Sequence, residues 1–453
     1  MVTKERISQH VEHIKPNIIR WRREFHQHPE VGWTEFRTAS VVANTLADLG
    51  FEVKTGKEAV KPEARMGVPD PAILSRAKER ALQNGGNPLW LNKMEDGLTG
   101  VVGIWDTGKR GPTVAFRFDM DALEIREDTQ IVHVPVREGF RSKFDGAMHA
   151  CGHDGHTAIG LGLASLISSI KEHLTGRIKL IFQPAEEGGR GAKAMVEAGV
   201  LDDVDFFFAG HLGLTARKNN QVVCSVTHFF ASTKIDVELE GVPAHAAFAP
   251  QEGRNALLAA ATIAVQLQAI SRHGQGDSRI NVGMMQAGEG RNIIASRASL
   301  KLETRGYPNE VNDYMTEEAI RIIRSVAGMY GVKEQIELVG QAIAAPCDAE
   351  LAEVVKDAVH HMEKGLEVID SLPFRASEDA TYMMRAVQDR GGKATYMLFG
   401  TELKAGHHHH SFDFDEDALP QAVEILAHVL IRSMEKSGGE AIDSTRTDEE
   451  PYQ

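Results

Sequence analysis

HTAIGLGLASLISSIKEHLTGRIKLIFQPAEE (residues 156–187) passes from a helix-length stretch with apolar residues at helical spacing, through a Thr-Gly break, into the apolar run RIKLIF. A helix followed within a few residues by an apolar strand is the unit from which sheets covered on both faces are built. The same alternation continues in both directions. Upstream, VVGIWDTG and TVAFRFDMDAL read as strands; downstream, GAKAMVEAGV reads as a helix and VDFFFAGHLG as a strand. The fold class predicted here is α/β, with ligands expected beyond the carboxyl ends of the strands.

Further out, ISQHVEHIKPNIIRWRREFHQHPE and TEFRTASVVANTLADLG have apolar positions three and four apart and predict two helices, the second ending at Gly50, before a strand in FEVKTG. Residues of about 57–98 are punctuated by Pro and Gly around one helix and read as an insertion beside the sheet, placed to shape a substrate pocket. From Phe229 the character changes. FFASTKIDVELEG, SRINVGMMQAG and ASLKLETRG alternate with period two, and EGRNALLAAATIAVQLQAIS and VNDYMTEEAIRIIRSVAGMYG read as amphipathic helices, which together predict a small α+β unit of the split βαβ kind. The expected division is therefore 1–228, the first part of a larger domain; 229–342, the inserted small domain; and 343–453, a return to the first domain. The tail from Ser437 is expected to be loose.

At 453 residues the chain exceeds one ordinary core, and its 42% hydrophobic and 25% charged residues place it with globular proteins. A net charge of -14 without a basic patch argues against nucleic acid, and means that an anionic substrate would need local cations, either arginine or metal. The charged N-terminus lacks the apolar core of a signal peptide, and no long apolar run suggests a membrane span, so a cytoplasmic location is expected. Three widely spaced cysteines, Cys151, Cys224 and Cys347, do not make a disulfide framework.

MHACGHDGHTA, residues 148–158, concentrates His149, Cys151, His153 and His156 just ahead of a helix. Cys151 and His153 suit a divalent metal ion, while a nucleophilic thiol with a histidine base, or a helix start with incidental polar residues, are the competing readings. Glu186 and Glu187 end an apolar strand and precede a Gly-rich turn, which suits one carboxylate for metal and one for a proton. His211 closes another apolar strand. The internal run His407, His408, His409 and His410 precedes a helix, and at most two of its side chains can face one site, without a choice between them from spacing alone.

The ordered motifs RWRREFHQHPEVGWTEFRT, RFDMDAL, MHACGHDGHTA, FQPAEEGGRGAKAMVEAG, GVPAHAA, EGRNALLAAA and AGHHHHSFDFDEDAL resemble the metallopeptidase family of aminoacylases, glutamate carboxypeptidases and auxin-conjugate amidohydrolases, over nearly the whole chain. That resemblance implies a mixed sheet flanked by helices, like a metallo-exopeptidase catalytic domain, with the small unit as a lid and dimerisation domain. It implies two divalent ions, manganese or zinc, with Cys151 as the bridging ligand and His153, Glu187, His211 and His408 completing the set. His408 is chosen because it stands four residues before Phe412. Glu186 matches the general base, and Asp119 and Asp121 are residues supporting the ligands. A thiolate bridge favours zinc by softness, whereas the resemblance leans to manganese.

The same resemblance implies hydrolysis of an N-acyl acidic amino acid, with p-aminobenzoyl-glutamate as substrate and indole-3-acetyl-aspartate as the nearest rival. It also implies a homodimer, or a heterodimer with a related subunit, in which His245 reaches across to the partner's site. Arg291, Asn292 (just before Ile293) and Arg305 are candidate substrate contacts. Two features depart from the family pattern: four histidines in the last motif, and NIIASRA without the commoner proline. A binding or regulatory protein without turnover is the non-enzymatic alternative; every metal and base position nevertheless carries a competent residue.

Overall fold

Apolar residues dominate segments 113–119, 177–183, 206–212 and 393–399, so neither side of these strands is suited to water. The computed structural model, which describes residues 3–439, buries all four almost throughout. In chain order the strands are β1 (Glu52–Thr55), β2 (Val101–Asp106), β3 (Thr113–Asp119), β4 (Arg177–Gln183), β5 (Phe206–Leu212), β6 (Gln221–Thr227), β7 (Ala231–Glu240), β8 (Asp277–Ala287), β9 (Arg297–Tyr307), β10 (Lys333–Ala342), β11 (Glu367–Pro373) and β12 (Lys393–Phe399). Eight of them form one mixed sheet in the order β1-β2-β4-β3-β5-β12-β6-β11. Its centre, β4-β3-β5-β12, is parallel, so the carboxyl ends of all four strands share one edge: Asp119 lies opposite Gln183, and His211 opposite Leu398.

Helices cover both faces. On one, Lys4–Gln27, Phe36–Asp48, His153–Ile170, Ala349–Met362 and Ala418–Gly439 share a core that includes Ile18, Leu163, Phe182 and Val423. On the other, Ala192–Glu197 and Ala380–Gln388 pack with Phe207, Met383 and Tyr396. The helix His153–Ile170 is buried on nearly every side. Glycine is required within it, because a Cβ at Gly160 would collide with Phe118 and Phe182, and one at Gly162 with Val423. Glycine costs a helix interior about 1 kcal/mol relative to alanine; here it admits the sheet and the C-terminal helix closely enough to hold the helix start in place.

The remaining strands form an antiparallel sheet, β10-β7-β9-β8, with the helices Ala256–Leu267 and Asn309–Tyr330 on one face. Period-two alternation sends Ile235, Val237 and Leu239 of β7 and Leu300 and Leu302 of β9 into that core. Lys234, Asp236, Lys301, Glu303 and Arg305 consequently face the other side. At β10 this sheet meets the larger body: the Gln341 N–H donates to the Gly189 carbonyl at 2.7 Å.

Both N-terminal helices fall where the periodicity places them. The inserted stretch contains the helix Pro71–Gln83 and several single turns, and its residues join both cores of the large body. The helix predicted from Glu252 starts only at Ala256, because the Asn255 side chain caps it by accepting the Leu258 N–H at 3.1 Å. β6 and β11 were not separately legible in the pattern, although β12 and β11 do return the chain to the large sheet. The final helix continues through Gly439, past the Ser437 at which a loose tail was expected; the rest of that tail lies outside the described residues. Among the described residues, no helix is long and apolar enough to cross a membrane.

Candidate metal centre

The segments leaving β3, β4 and β12 and the end of β5 bring the predicted donors together. Cys151 and His153 flank Gly152, whose φ of 96° is open to glycine and costly for other residues. Ligand atoms of Cys151, His153 and His211 lie within 4.8 Å of one another, as do those of Cys151, Glu187 and His408, and those of His153, Glu186 and Glu187. Cys151, His153 and Glu187 each belong to two of these groups, and Cys151 alone is common to those that contain His211 and His408.

Hydrogen bonding decides which nitrogens are available. His153 Nδ1 is 2.9 Å from the Asp121 carbonyl oxygen, and His211 Nδ1 is 2.8 Å from the Leu212 carbonyl oxygen. A carbonyl can only accept, so each Nδ1 carries the proton and each Nε2 presents a lone pair. His211 Nε2 lies 3.4 Å from Cys151 Sγ. His153 Nε2 and Glu187 Oε1 are buried without a hydrogen-bond partner. Buried acceptors left in this state cost about 1–3 kcal/mol each, a cost that a cation removes, and the imidazole, thiol and carboxylate donor set fits zinc or a similar divalent ion. His156 is excluded from such a role: its Nε2 accepts the Leu212 N–H at 2.9 Å and its Nδ1 is 2.5 Å from Asp119 Oδ1.

The histidine run is resolved in the same way. His407 Nε2 lies 3.2 Å from the Leu212 carbonyl oxygen, and burial pushes that imidazole down to about 4. His409 Nδ1 accepts the Ser411 N–H at 3.1 Å, and His410 Nδ1 is 2.8 Å from Ser411 Oγ. His408 takes the left-handed conformation (φ 64°), donates its N–H to the Ala150 carbonyl at 2.7 Å, and places Nε2 3.4 Å from Glu187 Oε1. Cys151 and Glu187 hold its imidazole up at about 10. The Cys151 thiol itself is pushed up by burial and by Glu187, the opposite of what a free thiol nucleophile requires.

A layer of buried charges holds these groups. Asp121 accepts the N–H groups of Glu186 at 3.0 Å and Glu187 at 2.9 Å, and its carboxylate lies 3.3 Å from His153 Nδ1. One carboxylate thus orients a histidine and both glutamates. Glu35 accepts the Ala185 N–H at 2.7 Å and the Thr99 hydroxyl at 2.7 Å. Arg117, fully buried in β3, reaches Asp119 at 2.6 Å, Gln183 at 2.8 Å, Glu378 at 2.9 Å and Asp379 at 3.3 Å. Asp379 also accepts the Gly191 and Ala192 N–H groups, at 3.1 and 3.0 Å. The Glu186 carboxyl converges on Glu378 and Asp379, and burial together with Glu378, Glu187 and Asp379 raises it well above the usual carboxylate range. Sequence reading missed Arg117, Glu35, Glu378 and Asp379. The available signals were an arginine inside an apolar strand, AFRFD, and paired acids immediately before a helix, SEDA.

The candidates on the small sheet stand apart from this cluster. His245 is exposed, and its Nδ1 accepts the N–H groups of Ala247 and Phe248 at 3.2 and 3.0 Å. The proton therefore sits on Nε2, leaving an outward donor. Arg291 and Asn292 are exposed in the loop before β9. Arg305 is paired with Glu303 through two bonds, at 2.9 and 3.2 Å, and lines a pocket of ≈ 700 Å³ with Arg279 and Arg375.

A convergent set of thiol, imidazole and carboxylate donors at the carboxyl edge of a mixed sheet, with a second small sheet inserted in the chain, defines a metallohydrolase of the α/β class. The chain belongs to Peptidase family M20/M25/M40, whose sequence profile matches residues 115–432. It is 49% identical to indole-3-acetyl-aspartic acid hydrolase of Enterobacter agglomerans, over 93% of this chain and 97% of that protein. It is 47% identical to one of the subunits of p-aminobenzoyl-glutamate hydrolase from Escherichia coli (strain K12), over 94% of this chain and 98% of that protein. The crystal structure of an aminobenzoyl-glutamate utilization protein from Klebsiella pneumoniae, 43% identical, superposes with a TM-score of 0.82 over 94% of this chain and 98% of that one.

Proposed function

We propose that this chain hydrolyses the amide bond of an N-acyl acidic amino acid, p-aminobenzoyl-glutamate before indole-3-acetyl-aspartate, with two divalent ions per chain. The observation that carries this reading is the pair of buried acceptors without a hydrogen bond, His153 Nε2 and Glu187 Oε1, converging with Cys151, His211 and His408. Cys151, common to the donor groups that contain His211 and His408, would serve both ions, and His153, Glu187, His211 and His408 would complete the set. Bound there, the ions would supply Lewis-acid chemistry, lowering the pKa of water and polarising the scissile carbonyl. Glu186 takes the proton of the attacking water and passes it to the leaving nitrogen, a task suited to a carboxyl raised above the usual carboxylate range. Asp121 keeps Glu186 and Glu187 in position through their backbone N–H groups, and Asp119 supports the histidines.

His245 acts on the site of a second copy, or of a related partner chain, donating its Nε2–H to the oxyanion formed as water attacks. Its exposure and the orientation of its proton support this role, and so does the Escherichia coli relative, which is named as part of an enzyme with more than one type of chain. Arg291, Asn292 and Arg305 are the proposed substrate contacts. The metal is manganese or zinc, the thiol favouring the softer ion, and the location is the cytoplasm. Reconstitution with single metals, followed by amine release from a panel of N-acyl glutamates and aspartates, tests the reading. Release of amine from p-aminobenzoyl-glutamate is expected, and no hydrolysis of any member with any metal would instead favour a binding protein.

A further inference from the structure

The open face of the small sheet carries several cations; on β7 and β9, Lys301 and Arg305 are neutralised within the sheet, Arg297 lies at the far, exposed end of β9, and Lys234 is, among the described residues, the unpaired one beside the larger body. Lys301 pairs with Asp236 at 3.3 Å, and Arg305 with Glu303 at 2.9 Å. Lys234 of β7 makes no ion pair among the described residues; its Nζ donates to the neutral Ser232 hydroxyl at 2.9 Å. Two of its three N–H groups are thus free for another partner. Its surroundings are half-buried, and burial, with Arg305 nearby, pulls the ammonium below the usual lysine range.

Strand register places this lysine beside the catalytic turn. Lys234 lies opposite Gly340 of β10, and position 340 must be glycine because a Cβ there would collide with the Gly188 carbonyl oxygen. Gly188 directly follows Glu187. Lys234 and Glu187 accordingly line one cleft of ≈ 620 Å³, together with Arg190, whose guanidinium is fixed by the carbonyl oxygens of Glu187 (2.8 Å) and Gly67 (3.2 Å). In a chain of net charge -14, a free cation next to the donor cluster is where an anionic substrate gains most.

We propose that Lys234 recognises a carboxylate of the acidic amino-acid half of the substrate and is a specificity-determining residue of the site. The inference rests on the amidohydrolase reading above for its substrate. An acidic amino acid offers two carboxylates, on its α-carbon and on its side chain, and either has the chemistry that fits.

The test compares p-aminobenzoyl-glutamate with its side-chain amide, p-aminobenzoyl-glutamine, and its α-amide, p-aminobenzoyl-isoglutamine, on metal-reconstituted protein. Loss of a hydrogen bond to a charged group corresponds to about a 10- to 100-fold change. Lys234→Gln should therefore reduce the wild-type preference, as a ratio of kcat/KM, for glutamate over one of the two amides by that factor, with metal content unchanged, and Lys234→Arg should retain most of it. Which ratio collapses identifies the carboxylate. If Lys234→Gln slows all three substrates equally, or alters neither ratio, Lys234 does not recognise a carboxylate; Lys234→Met gives the same comparison if the glutamine variant fails to fold. Calorimetric binding of the same three compounds separates this proposal from the parent reading. Preference in binding that depends on Lys234, without cleavage of any compound, would uphold Lys234 and remove the hydrolase assignment.

Discussion

The carboxyl edge of the large sheet and the open face of the small one satisfy their polar groups in different ways. At the edge, long-range pairing orients each donor: Asp121 holds two glutamates and a histidine, and Arg117 joins β3 to β4 and to residues 378–379. Individual acceptors remain unpaired there because they point to one place. On the small sheet the paired charges, Lys301 with Asp236 and Arg305 with Glu303, meet neighbours on adjacent or alternate positions, Lys234 is left without an ion pair among the described residues, and the His245 imidazole bonds only to backbone groups two and three residues away. The first region is organised for chemistry within one chain; the second acquires its role from whatever it faces.

The largest break in this comparison is expected from Glu186→Gln, which retains the shape of the side chain but cannot take a proton. Turnover should fall about 10²- to 10⁴-fold, while metal content and the thermal transition stay as in the parent. A near-parental rate would remove Glu186 from the mechanism. His245→Ala tests the other region: loss of one oxyanion donor should cost about 10²- to 10³-fold in turnover with both metals retained. Mixing His245→Ala with Glu186→Gln chains should restore activity once exchange is shown, since one site in each mixed dimer has both groups intact. A mixture as inactive as its parents would place His245 outside the neighbouring site.

Cys151→Ser sharpens the description of the edge. Because one thiolate is assigned to both ions, elemental analysis should find the stoichiometry well below two per chain, and two ions held at parental affinity would rule out a bridge. Asp121→Ala should weaken metal binding or turnover about 10- to 100-fold, by releasing His153 and the glutamate backbone together; unchanged kinetics would show that the turn holds itself.

The smallest effect concerns stability. His26 is buried with Nδ1 2.8 Å from Asp154 and Nε2 3.0 Å from Glu127. Burial opposes its charge, but the two carboxylates outweigh that and raise it to about 9. Since the folded value exceeds the unfolded value of about 6.5, this contribution is complete below about pH 6.5 and is lost as pH rises through about 9. The melting temperature should decline across that window, and His26→Gln should flatten the decline. An equal alkaline decline in the variant would assign it to other groups.

Much of this arrangement is legible in the residues alone. Apolar runs of strand length and amphipathic runs of helix length identify β3, β4, β5 and the helices between them, because burial on two faces or on one leaves a period in the residues themselves. Donor types are legible too: His211 interrupts an otherwise apolar strand, Glu187 follows one, and Cys151 stands in a dense cluster of histidines just before a helix. β6 and β11 are harder, being near the edge of the sheet, with β11 largely exposed and so carrying little pattern.

Sequence by itself thus determined the fold class, the order of the elements other than β6 and β11, and a set of candidate donors for metal. Tertiary structure alone shows which of their atoms are left without another partner and converge. Spacing alone leaves the four adjacent histidines equivalent and only the resemblance singles out His408; the structure adds a left-handed backbone and an N–H bonded to Ala150, far away in the chain, which turn its Nε2 toward Glu187. His156 is chemically as competent a ligand as His153, yet its Nε2 is occupied by the Leu212 N–H. Lys234 is one lysine among many until Gly340 packs on Gly188 and brings it to the cleft. Periodicity records how a segment meets water, whereas the direction of a lone pair and the partner of a buried charge depend on atoms that only folding brings together.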